Sequence, residues 1–274
     1  MNREYLRWYS QRLHRDMEML VLGHAGAKVL VFPTREGRFF EYEQLGLVAS
    51  LADKLQAGHL QLYCIEGLAT ESLYGFHRHP ADRIRRHAAL EDYILNEVLP
   101  LMAAKNPHDW TIVQHGCSLG AFQAASLVFR HPHLFRKLVA FSGRYDLTMK
   151  VESFGDLFDG YYDVGVYFHT PMHFLPGLGG DWRLDRLRDA TSFSPSAMLI
   201  LFSTTTGISV GCSRTRMSAI SCMCGMVAPT VPAHGGRWQR FTSDAWGTFT
   251  ANLELRSPPG HPTARSPRWS GGRG

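Results

Sequence analysis

Residues 110–132 read "WTIVQHGCSLGAFQAASLVFRHP". The apolar start predicts a β-strand, the Gly-x-Ser-x-Gly at 116–120 predicts a sharp turn, and the small and apolar residues beyond it predict a helix that stops before Pro132. Glycines two before and two after Ser118 relieve the crowding of such a turn and leave the serine exposed at its apex. The N–H of Leu119 then opens the following helix and faces the place where an oxyanion would develop. By composition alone the five-residue pattern would arise in roughly one such chain in six, so its setting carries the reading. A strand runs into it, a helix with Ala121, Ala124 and Ala125 leaves it, and three strands precede it.

Those earlier strands are "MEMLVLG" (17–23), "AKVLVFP" (27–33) and "HLQLYCIEG" (59–67). Between the last two, Leu45, Val48, Leu51 and Leu55 keep helical spacing. A long helix is predicted over 81–105, with Asp82 as its N-cap and Pro100 bending or ending it. "FRKLVAFSG" (135–143) is a fifth strand, and Asp181 would cap one more helix in "DWRLDRLRDA". Strands alternating with helices predict an α/β fold, a mostly parallel sheet with helices on both faces. Residues 143–180 are rich in Gly, Pro and aromatics and predict a lid-like loop that shapes a pocket.

The chain has 274 residues and a net charge of +5, but the charge is local. Residues 1–189 carry 21 Lys+Arg against 22 Asp+Glu, whereas 190–274 carry 8 against 2, with no Lys and much Ser, Thr, Pro and Gly. The core-like part and the tail therefore differ in kind. Basicity confined to a tail without aromatic interleaving does not indicate nucleic acid. The charged opening "MNREYLRWYSQRLHRDME" has no apolar h-region and no later run approaches 18 apolar residues, so neither a leader nor a membrane partner is expected and the location expected is cytoplasmic. Five scattered cysteines, Cys64, Cys117, Cys212, Cys222 and Cys224, suit reduced thiols, and the last three do not make a metal set. No cofactor is expected.

The segments 29–67, 79–102, 116–147 and "FLPGL...DWRLDRLR" together resemble the bacterial esterase family of α/β-hydrolases, related to the feruloyl-esterase and esterase D branch. The resemblance covers nearly all of 1–189 in unbroken order. It implies an α/β-hydrolase core and hydrolysis of a small-molecule carboxylic ester by a Ser-Asp-His triad, with Ser118 as nucleophile. A second oxyanion donor is expected from the loop after "VLVF", where the N–H of Thr34 or of Arg35 is the candidate.

In this fold the acid and the histidine follow the last two strands, beyond Asp189, where the resemblance stops. Asp244 and His261 are in the right order but follow no strand signal. His169, His173, Asp146, Asp156, Asp159 and Asp163 come too early and read as pocket or surface residues. A shifted reading frame accounts for the break. Read from the third base of the serine codon, "SCMCGMVAP" (221–229) permits "LHVWDG" with a histidine three residues after its glycine. The same shift over "ATSFSPSAMLIL" (190–201) permits "DVIFAVGDAD", a buried strand ending in an acid. Serine codons shifted this way give apolar residues almost automatically, so the forced Val and Gly and the order of the two segments weigh most. The expectation is an esterase core whose tail lacks the base, hence weak activity. The competing expectation is an inactive hydrolase-like binding protein with a basic, disordered tail.

Overall fold

The computed structural model describes residues 1–109, 112–135, 137–141, 143–150, 155–183, 185–187 and 199–201. Among the described residues, seven strands form one sheet in the order β1-β2-β4-β3-β5-β6-β7. They are β1 (Arg3–Ser10), β2 (Arg15–Leu22), β3 (Ala27–Phe32), β4 (Leu60–Ile65), β5 (Ile112–Cys117), β6 (Lys137–Phe141) and β7 (Leu199–Leu201). From β4 across to β7 every pairing is parallel, while β1 and β2 are antiparallel. The α/β architecture expected from the alternating pattern is the one observed.

β3 and β4 are buried along their whole length, as strands covered on both faces must be. Even so, the two-residue period sorts their side chains. Met17, Met19 and Val21 of β2 join Leu30 and Phe32 of β3 on one face, while Leu20 and Leu22 join Val29 and Val31 on the other. α4 (Pro80–Tyr93) and α6 (Leu119–Arg130) cover the first face. Three one-turn helices, α1 (Glu41–Gln44), α2 (Leu47–Ser50) and α3 (Ala52–Gln56), cover the second. They replace the single helix expected there, because Gly46 adopts φ 72° and breaks the run; Val48, Leu51 and Leu55 still point inward, and Leu45 is exposed.

β1 was not expected. Its alternation is plain in the structure, with Leu6, Trp8 and Ser10 turned inward and Tyr5, Arg7 and Tyr9 outward. Charged residues on the outward positions masked it, as an edge strand with one wet face allows. The long helix begins at Pro80, one residue before the predicted 81. His79, not Asp82, is the N-cap, accepting the N–H of Ala81 at 3.2 Å, with Pro80 in the first turn. Pro100 does not end the helix, because a π-helical turn over Ile94–Val98 widens the coil ahead of it and α5 (Leu99–Lys105) continues. Asp181 does cap a helical turn, accepting the N–H of Arg183 at 2.8 Å.

After β6 the chain leaves the sheet and lies over α4 and α6, forming α7 (Val164–His169) and α8 (Pro171–Phe174). Two arginines hold this excursion by its carbonyls. Arg83 of α4, 1% exposed, donates to Leu157 O at 2.5 Å and pairs with Asp159 at 2.9 Å. Arg144 donates to Asp146 O and Gly155 O, both at 2.8 Å. Below, Glu91 of α4 collects Arg130 (3.0 Å) and His131 (2.8 Å), with His169 of α7 at 3.8 Å. Burial opposes the charge on Glu91, but His131 and Arg130 outweigh it and hold the carboxyl at about 2. Burial, helped by His169 and Arg130 and opposed by Glu91, pushes neighbouring His87 down to about 3, so it stays neutral. No described helix is long and apolar enough to cross a membrane.

Two predictions follow from these anchors. Arg83→Ala removes the donor to Leu157 O and leaves buried polar groups unmet, at a cost of about 2–4 kcal/mol; limited proteolysis should then cut within 143–163 far sooner than in the parent, and an unchanged cleavage pattern would contradict this. For Glu91, a carboxyl depressed from its ordinary 4.5 to about 2 stabilises the fold above pH 4.5, and that contribution disappears as pH falls toward 2. Glu91→Gln should therefore lower the thermal midpoint by roughly 5 °C at pH 7, with the gap to the parent closing between those two pH values.

Candidate active site

The elbow is built by close approach. β5 lies between β3 and β6, with Gly116 opposite Phe32 and Cys117 opposite Phe141. α6 starts immediately and folds back over β5. A Cβ on Gly116 would stand 2.3 Å from the Gly120 carbonyl carbon, and a Cβ on Gly120 would stand 2.5 Å from Phe32 O and 2.7 Å from Pro33 O. Both glycines are therefore required by contact. Ser118, between them, takes φ 55° and ψ −117°, a conformation a residue with a Cβ adopts only under constraint. Its N–H is tied to Phe141 O at 2.9 Å, and its own carbonyl accepts the N–H of Phe122 at 3.2 Å. The N–H groups of the first turn of α6, Leu119's among them, have no carbonyl within the helix to receive them.

Beneath the serine sits a buried polar layer that sequence reading passed over as part of the strand. His115 of β5 donates Nδ1–H to Val139 O at 2.6 Å, which leaves Nε2 to accept from the Tyr42 hydroxyl of α1 at 2.5 Å. Burial pushes His115 down to about 4 and keeps it neutral. Cys117, next to Ser118, lies 3.9 Å from the same hydroxyl, and burial pushes its thiol up to about 12. A thiol held protonated is no rival nucleophile. The polar pair Gln114–His115 within the strand was the available signal for this layer.

The loop after β3 abuts the elbow, as the contacts of Gly120 with Phe32 and Pro33 require. Thr34 is there, but its N–H donates to Glu41 Oε2 at 2.9 Å and its hydroxyl to Glu41 Oε1 at 2.5 Å. In this arrangement the Thr34 N–H is engaged by Glu41. Across the site, Leu119 and Phe122 pack against Leu147, Leu157 and Phe158 of the excursion.

The acids of that excursion serve its own backbone. Asp146 accepts the N–H groups of Thr148 and Met149 and the Thr148 hydroxyl, Asp156 accepts from Phe158 and Gly160, Asp159 pairs with Arg83, and Asp163 caps α7 through Val166. His173 has both ring nitrogens occupied, Nδ1 by Tyr162 at 3.0 Å and Nε2 by Thr148 and Asp146 at 3.4 Å. His169 donates Nδ1–H to Gly165 O at 2.8 Å. Among the described residues no histidine is hydrogen-bonded to the Ser118 hydroxyl, and no group of His, Cys, Asp and Glu could hold a metal ion. Asp244, His261, Cys212, Cys222 and Cys224 lie outside the described residues.

No family model and no curated protein matches the sequence. Solved structures do resemble the fold. The fluorophosphonate-binding serine hydrolase FphF of Staphylococcus aureus superposes with a TM-score of 0.60 at 12% identity, over 91% of this chain and 98% of that one. MPT51 of Mycobacterium tuberculosis gives 0.58 at 14%, over 92% and 99%, and the S-formylglutathione hydrolase FrmB of S. aureus gives 0.55 at 12%, over 91% and 98%. The strand order, the antiparallel β2 beside β4 and these likenesses agree, and the fold of this chain is that of the α/β-hydrolases.

Proposed function

We propose that the chain descends from a serine hydrolase that cleaves carboxylic esters of small molecules, with Ser118 as its nucleophile and residues 143–180 as a lid-like wall on a core of 1–189. The positive φ of Ser118 at a strand-to-helix turn supports this most, since such strain is kept where a function uses it. In the reaction the serine oxygen bonds to the ester carbonyl carbon, the C–O bond to the alcohol breaks, and water later releases the acid from the acyl-enzyme. The N–H of Leu119 steadies the oxyanion. The second donor falls to Arg35, since Pro33 has no N–H and that of Thr34 is held by Glu41.

The reaction also needs a base for the serine proton. Among the described residues no histidine is hydrogen-bonded to the Ser118 hydroxyl, and the resembled family places the acid and the histidine after its last two strands, in the segment after Asp189, where the shifted frame would supply them. This chain then has the elbow without its base, and turnover is weak. One extra or missing base in the codons for residues 189–191 of the coding DNA would support that account.

A fluorophosphonate tests the nucleophile directly. The serine oxygen–phosphorus bond forms, the P–F bond breaks, fluoride leaves, and the hydroxyl proton passes to solvent or to a base. The expected result is a slow, single adduct on the peptide carrying Ser118 that is absent in Ser118→Ala. An adduct confined to another residue, or none, would overturn the assignment.

A further inference from the structure

Glu41 makes more contact with the loop after β3 than a surface acid needs. Its two carboxylate oxygens take both polar groups of Thr34, N–H at 2.9 Å and hydroxyl at 2.5 Å. The loop is folded tightly around it. Gly37 N–H donates to Thr34 O at 3.2 Å, Glu41 N–H to Arg38 O at 2.9 Å, and a Cβ on Gly37 would stand 2.4 Å from the carboxylate. The neighbouring residue on the same helical turn, Tyr42, reaches the other way and holds His115 beneath the elbow. One turn of helix thus grips the loop beside Ser118 and the strand below it.

We infer that Glu41 is a positioning residue for the oxyanion site. By tying down Thr34 at both polar atoms it withdraws that N–H from the site and fixes the peptide that follows, so that the N–H of Arg35 is the one the loop presents to the serine. Glu41 touches no reacting atom in this scheme and acts through the loop alone. The inference rests on the nucleophile reading above, and it adds which loop donor operates and what holds it.

The test compares Glu41→Ala, Glu41→Gln and the parent in full-length chain, by the rate of fluorophosphonate labelling at saturating probe, the probe concentration for half-maximal rate, and hydrogen exchange at the Thr34 amide. A glutamine keeps the grip, since its carbonyl accepts the Thr34 N–H and its amide donates to the hydroxyl oxygen. Removing an oxyanion donor costs roughly 10²–10³-fold in rate, and loosening one is expected to cost on the order of 10- to 100-fold. Glu41→Ala should therefore label that much more slowly at saturation with little change in the half-maximal concentration, and should exchange the Thr34 amide faster. Glu41→Gln should stay within a few-fold of the parent on every readout. Parent-like labelling by Glu41→Ala, or a Glu41→Gln as slow as Glu41→Ala, overturns the inference while leaving Ser118 as nucleophile. Failure of the parent to label at Ser118 removes the nucleophile reading and this inference together.

Discussion

The site depends on one steric constraint, the approach of the first turn of α6 to the ends of β3 and β5. Gly116 and Gly120 meet backbone atoms at distances no side chain could share, and Ser118, caught between them, is forced into a positive φ. That strain costs on the order of 1–3 kcal/mol and has to be held by its surroundings. The buried sheet holds it from below, through the ladder to β6 and the His115–Tyr42 hydrogen bond; the Ser118–Phe141 bond holds it from the side. The same approach places the loop after β3 within reach of the serine.

Much of this was legible in the sequence, because the relevant signals are local. Apolar runs bounded by Gly and Pro marked β2 to β6, and the two glycines around a serine marked the turn. What was missed depends on partners far along the chain. β1 reads as a charged segment with no strand signal until β2 lies beside it, and the breaks that divide 41–56 into single turns come from Gly46 and from packing on the sheet. The sequence singles out the loop after β3 that carries Thr34, but only the structure shows Glu41 taking its N–H. Nothing in the sequence sets Arg83 and Glu91 apart from other helix charges, yet the buried Arg83 and the part-buried Glu91 anchor the excursion after β6.

The polar groups of that excursion make the division of labour clear. Its aspartates end turns, cap α7 or pair with Arg83, and its histidines face carbonyls and hydroxyls. These are the bonds of a segment that must satisfy its own backbone away from a sheet. Its apolar residues Leu147, Leu157 and Phe158 instead cover Leu119 and Phe122. Under the proposed function, such a wall would shape access to the serine without supplying its proton acceptor.

In the proposed function a constrained nucleophile meets a missing base, and ester turnover measures that junction. Hydrolysis of a p-nitrophenyl ester would be compared between this chain and one whose coding sequence is shifted by a single base in the codons for residues 189–191. The account predicts turnover that depends on Ser118 in the shifted chain, exceeding that of this chain by on the order of 10³-fold or more. Robust Ser118-dependent turnover by this chain as it stands would contradict it.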